Sequence, residues 1–126
     1  MEDGACPILA GTDTGNPGTT QGASVHGELE LLVRSGLTPV EALRATTAST
    51  AAAFHLEDRG QIAPGKRADL VLVNGDPTAD IRSTRDIVAV WEAGHEVDRG
   101  AWKVSVAEAN GRRKVGGEDG GRARWS

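Results

Sequence analysis

Aromatic side chains are scarce here: three Trp, one Phe and no Tyr in 126 residues. The large contact areas that such rings bring to a core are mostly missing. An apolar content of 38% leaves material for a partial core only. Cysteine is nearly absent. Cys6 stands alone, which excludes an intramolecular disulfide and any cysteine-based zinc motif, and fits a reducing, cytoplasmic setting. No apolar run approaches the ~20 residues of a membrane span. The opening Met1-Glu2-Asp3-Gly4 is acidic and leads into no apolar stretch of the kind a signal peptide carries. Positive charge is not in excess either. The net charge is −4, which argues against nucleic acid as a general partner, because phosphate neutralisation needs a basic face. The three histidines, His26, His55 and His95, are far apart, so there is no His-x-His pair and no His-Glu-x-x-His helix. A Gly-x-Gly-x-x-Gly loop after a strand, a Walker A loop and a nucleophile elbow are all missing, and Cys6 has no base paired with it in sequence.

Glycine, by contrast, is abundant, at 17 residues, and makes much of the backbone costly to order. Charge is unevenly placed. Residues 1–99 carry 8 Lys/Arg against 15 Asp/Glu, and residues 100–126 carry 6 against 3. A short basic tail on an acidic body is a candidate contact for anionic partners, although solvated ends commonly look the same.

Along the chain, Pro7 to Gly11 is a short apolar run of the kind that forms a buried parallel strand. The segment Thr14 to Ser24, with Gly15, Asn16, Pro17, Gly18 and Gly22, reads as a loop. A long polar loop directly after a buried strand is the layout of an active-site loop in a barrel. From about Val25 to Ser35 the spacing is helical, with Leu29, Leu32 and Val33 on one face and Gly36 placed as a C-terminal cap. Thr38-Pro39-Val40-Glu41 is a helix start with a capping box, for a helix running to about Thr47. A third helix is expected over Thr50 to Phe54, capped by Ser49.

Near Asp58 the texture changes. Pro64-Gly65 suits the centre of a type II turn. Asp69 to Val73 reads as a strand that Asn74-Gly75-Asp76-Pro77 breaks, Ile87 to Trp91 as a second, and His95 to Val97 as a short third beyond Ala93-Gly94. Residues 107–126 lose periodicity and are expected to be disordered.

Asp13 ends the apolar run and opens the polar loop, where a rigid strand aims a side chain at substrate. A carboxylate in that place can bind a divalent metal and accept a proton from metal-bound water. Local sequence alone favours Asp13 as a turn cap. His26 stands at the head of the first helix, where it can face a site or simply sit in the first turn of a surface helix. His55 and His95 read as structural. A zinc site needs three or four ligands, so these residues do not build a catalytic metal centre by themselves.

Three segments together carry a resemblance: PILAGTDTGNPG at 7–18, HGELELLVRSGLTPVEALRATT at 26–47 and RGQIAPGKRADLVLVNGDPTADI at 59–81. The chain resembles the C-terminal third of the amidohydrolase superfamily, in its imidazolonepropionase-like and Xaa-Pro dipeptidase-like branch. The resemblance implies an α/β fold: the end of a metal-dependent TIM barrel followed by part of a composite β-sandwich. Residues 1–57 would be the last barrel strand (residues 7–13), the active-site loop and the closing helices. Residues 58–99 would be sandwich strands, and 100–126 a Gly/Arg-rich tail, expected to be disordered. It implies that Asp13 is the last aspartate of the metal site, as ligand or as acceptor of the proton from the attacking water. It matches His26 to a histidine often seen at the head of that helix without giving its role; His26 is kept as a candidate substrate contact. A divalent metal, zinc first, would serve the parent enzyme, with none bound by these residues alone. The substrate would be a small amide, cyclic amide or dipeptide, and neither nucleic acid nor membrane would be a partner.

The sequence departs from the family pattern where it matters. The His-x-His pair, the bridging lysine and two later histidines would all precede residue 7. Ser49-Thr50 replaces a common Asn-Pro. His55 stands where a helix-ending Gly is common, which places a side chain at a left-handed position. The expectation is a hydrolase fragment inactive alone. The alternatives are an association module acting through open sheet edges and a half-enzyme completed by a partner chain.

Overall fold

A computed structural model describes residues 6–115, with side chains described as far as Arg112. The architecture is a mix of helices and one small antiparallel sheet. The elements are α1 (Ser24–Arg34), α2 (Pro39–Thr46), α3 (Ala48–Ala53), β1 (Leu70–Val73), a 3₁₀ helix (Ile81–Arg85), β2 (Ile87–Glu92), β3 (His95–Glu96) and α4 (Arg99–Val115). Contacts divide the chain into two compact units, one ending at Glu96 and the other beginning at Val97.

In the first unit the helices form for reasons the sequence states. Thr38 caps α2: its hydroxyl accepts from the Glu41 amide at 3.2 Å, and the Glu41 carboxylate accepts from the Thr38 amide at 2.7 Å. That backbone hydrogen bond, with help from the Thr38 hydroxyl, holds the Glu41 carboxyl below its ordinary pKa. Gly36 has φ 116° just past α1, the left-handed geometry its position calls for.

The third helix differs from expectation. It starts at Ala48 rather than Thr50, and Ser49 is not its cap. The Thr46 and Thr47 hydroxyls donate back to the carbonyls of Ala42 and Leu43, and Thr50 Oγ1 donates to Ala45 O at 2.7 Å. These hydroxyls tie α3 to the end of α2 across a single kinked residue, Thr47.

The sheet order is β1-β2-β3, with Leu70 opposite Trp91, Val71 opposite Val90 and Leu72 opposite Ala89. The register slips between Leu72 and Val73. Ala93 and Gly94 both have positive φ, the geometry of the two-residue hairpin that matches strand twist. The ADLV run gains a physical reason from this hairpin. Asp69 Oδ1 accepts from the Ala93 amide at 2.8 Å and from Arg67 Nε at 2.8 Å, while the Gly94 amide donates to Ala68 O. The Ala93 amide first, then Arg67, holds the Asp69 carboxyl below its ordinary pKa. Gly65 has φ 81° and the Lys66 amide donates to Ala63 O, closing the turn expected at Pro64-Gly65.

The core lies where α1, α2 and the 3₁₀ helix meet. Leu29, Ala42 and Ile81 are buried together there, with Leu32, Val33 and Leu43 packed against them. Nothing in the periodicity announced the 3₁₀ helix. Asp80 nucleates it by accepting from the Arg82 amide at 3.0 Å.

Two further expectations change. Residues 7–13 form no strand. Their backbone makes one bond into the helices, from the Ala10 amide to Ala45 O at 3.2 Å, and a strand exists only where a neighbour receives its ladder. Residues 100–115, expected to be disordered as part of the tail, belong to α4, a run that carries no proline and in which Ala101, Lys103, Ala107, Glu108 and Ala109 favour a helix. The remainder of that expectation, 116–126, lies outside the described residues.

Candidate functional site

Asp13 sits at the start of the Gly-rich loop, solvent-exposed and with φ 47°. Left-handed backbone is tolerated by Asp better than by most side chains. Its carboxylate is turned into its own loop: Asn16 Nδ2 donates to Asp13 Oδ2 at 2.7 Å and to Asp13 O at 3.1 Å. Thr12 Oγ1 and Thr14 Oγ1 pair at 2.5 Å, and Thr19 Oγ1 donates to Asn16 O at 2.7 Å. The loop therefore holds itself in shape through side chains that flank the carboxylate. Asn16 is the residue that orients Asp13, and its place three positions on is the sequence signal for it.

His26 lies in the first turn of α1, half-buried. Its Nδ1 stands 3.0 Å from Thr84 Oγ1 on the 3₁₀ helix. One turn further along α1, Glu30 accepts from Arg85 Nε at 2.6 Å. Two adjacent residues of the 3₁₀ helix thus clasp two residues of α1 one turn apart. Burial first, and then the Arg85 charge, pushes the His26 imidazole below its ordinary pKa, with Glu30 pulling the other way.

A cavity of about 520 Å³ opens between α1, α2 and the β1 region. His26, Leu29, Leu43, Leu70, Val73 and Thr84 line it, with Arg67 and Asp69 at its polar side. Asp13 is not among its lining residues, so the structure gathers His26 with the core and leaves Asp13 on the outer loop. His55 and His95 are exposed, His55 at φ 57° as expected, and neither lines the cavity.

A divalent metal needs three or four donors placed together. Among the described residues no three His, Cys, Asp or Glu side chains are so placed. These residues alone do not fit a metal. Among them, too, no helix is long and apolar enough to cross a membrane.

Comparison with known proteins places the chain. It is 40% identical over 99 residues to an imidazolonepropionase of Deinococcus deserti, an alignment covering 75% of this chain and 25% of that protein. It is 38% identical over 87 residues to an adenine deaminase of Lysinibacillus sphaericus, covering 68% of this chain and 14% of that one. Among solved structures, phenylurea hydrolase B superposes with a TM-score of 0.60 at 38% identity, over 64% of this chain and 18% of that one. The chain spans about a quarter or less of the length of these relatives. The amidohydrolase family profile matches residues 1–97, and the chain belongs to the amidohydrolase family.

Proposed function

We propose that this chain is the C-terminal portion of a metal-dependent amidohydrolase that cleaves a C–N bond in a small amide, cyclic amide or dipeptide. In this reading residues 7–13, which form no strand here, pair as the last strand of a TIM barrel only when the neighbouring strand is supplied, residues 58–99 are part of a β-sandwich, and Asp13 supplies one carboxylate to a divalent metal, zinc first. The other donors come from outside the described residues. His26 contacts the substrate from the head of α1. The observation that carries the reading is the placement of Asp13. It follows an apolar run, opens a self-braced polar loop and precedes α1, within a stretch that matches the family.

The test is hydrolysis. The chain is mixed with the rest of an amidohydrolase barrel supplied as a second polypeptide, with zinc, and assayed on amide, cyclic amide and dipeptide substrates. The expected result is cleavage by the wild-type mixture and a rate at least ~100-fold lower with Asp13→Ala, the scale on which a positioned acid–base group acts. Equal rates in both mixtures remove Asp13 from the reaction.

A second reading, a non-catalytic association module, is favoured by one observation. Among the described residues β1 has a neighbour on one side only, and Val71 and Leu72 on it are exposed.

A further inference from the structure

Thr84 is a buried side chain whose hydroxyl takes part in two hydrogen bonds with one proton to give. One bond runs to Ile81 O at 2.9 Å, and a carbonyl can only accept. The Thr84 proton is therefore committed there. The other bond, 3.0 Å to His26 Nδ1, must be donated by the imidazole. A neutral imidazole carries one N–H, so placing it on Nδ1 leaves Nε2 as a bare acceptor. Nδ1 is the ring atom that Thr84 engages, and Nε2 makes no hydrogen bond within the described residues. His26 and Thr84 both line the cavity.

The charged groups around the ring agree with a neutral imidazole. Burial first, and then Arg85 on the 3₁₀ helix, disfavours its protonation, and Glu30 on α1 opposes them less strongly. Arg67 and Asp69, which also line the cavity, are ion-paired to each other at 2.8 Å.

We propose that Thr84 is a positioning residue: by spending its proton on Ile81 it fixes His26 in the Nδ1–H tautomer and presents Nε2 to the cavity as an acceptor for an N–H donor, such as a peptide amide. The part concerning the donor rests on the reading of His26 as a substrate contact. The tautomer does not. A side chain at position 84 without a hydroxyl gives Nδ1 nothing to donate to, and the ring is free to carry its proton on Nε2.

The experiment reads the ring directly. In the chain labelled with ¹⁵N-histidine, long-range ¹H–¹⁵N correlation identifies which nitrogen is protonated. Wild type and Thr84→Ser are expected to show His26 as Nδ1–H, and Thr84→Val to show mainly Nε2–H. A merely space-filling Thr84 would give the reverse ranking, because Val matches its shape and Ser does not. An Nε2–H ring in wild type overturns the proposal, as does an unchanged ring in a Thr84→Val chain whose backbone amide spectrum is still folded. If Thr84→Val does not fold, wild type and Thr84→Ser decide. Glycylglycine is then titrated into wild type and His26→Asn, which keeps a donor near Nδ1 and deletes the Nε2 acceptor. Binding at least tenfold weaker in His26→Asn is expected. Equal binding, or none to wild type, removes the donor contact and its substrate reading while the tautomer result stands on its own.

Discussion

At the scale of single residues, the two candidate side chains have separate fates. The Asp13 carboxylate is braced by Asn16 on an exposed loop. His26 is held in a half-buried clasp against Thr84. That clasp makes a pH prediction. The imidazole has a folded pKa below its ordinary value of 6.5, chiefly through burial. A depressed pKa means that the unfolded chain takes up the proton more readily. The His26 contribution to stability is therefore complete above pH 6.5 and is lost as pH falls from there through the folded pKa. Thermal melts at pH 7.5 and 5.5 are expected to show a lower Tm at the acidic value, with the difference reduced in His26→Asn. An identical pH difference in both proteins would count against the clasp. His55 offers a second residue-scale measurement. Its φ of 57° costs ~1–2 kcal/mol for a side-chain-bearing residue, and glycine returns part of that as unfolded-state entropy. His55→Gly is expected to raise stability by about 0.5–1 kcal/mol in denaturant titration, and a loss would show that the imidazole makes an offsetting contact.

At the scale of elements, the sequence was legible where capping and turn chemistry are local. The Thr38-Pro39-Val40-Glu41 box, the glycine after α1 and the Ala93-Gly94 hairpin each depend on a few adjacent residues, and each formed where expected. Thr38→Ala, which deletes the hydroxyl facing the Glu41 amide, is expected to cost ~1 kcal/mol by circular dichroism melts. Elements that depend on distant partners were not legible. The 3₁₀ helix forms because Ile81 and Thr84 pack beneath α1, a contact spanning more than fifty positions. Residues 7–13 fail to form a strand for the converse reason, since no described neighbour receives their ladder. For the site, the place of Asp13 could be read from its neighbours in sequence, but its bond to Asn16 and the His26–Thr84 pairing could not. Gly60 shows the same limit. It lets the loop approach α3 so closely that a Cβ there would stand 2.6 Å from Ala51 Cβ and 3.0 Å from Thr47 O, at φ 87°, a closeness that no adjacent residue announces. Gly60→Ala is expected to destabilise by more than about 2 kcal/mol, because the backbone strain and the clash add. A neutral result in the same melts would mean that the loop moves away freely.

At the scale of the whole molecule, the notable quantity is the apolar surface that stays outside. The described residues bury five apolar side chains, three of them alanines. Ile62 is 89% exposed, Phe54 67% and Val71 59%, and Leu72 beside Val71 is half exposed. Exposed apolar side chains next to a strand whose one edge is unpaired among the described residues form the kind of surface that associates. Charge does not prevent this at β1, whose four residues Leu70-Val71-Leu72-Val73 carry none. The chain is therefore expected to self-associate in a concentration-dependent way in sedimentation velocity runs. Leu72→Lys should weaken that association about tenfold or more, because burying one leucine is worth ~1.5–3 kcal/mol and a lysine on an edge strand opposes pairing. Val40→Lys serves as the control. Val40 is as exposed as Leu72 but lies on α2, away from the edge, so a role for the edge requires its effect to be small. Equal weakening by both substitutions would assign the association to general apolar surface, and a monomer at all concentrations would remove the edge from consideration altogether.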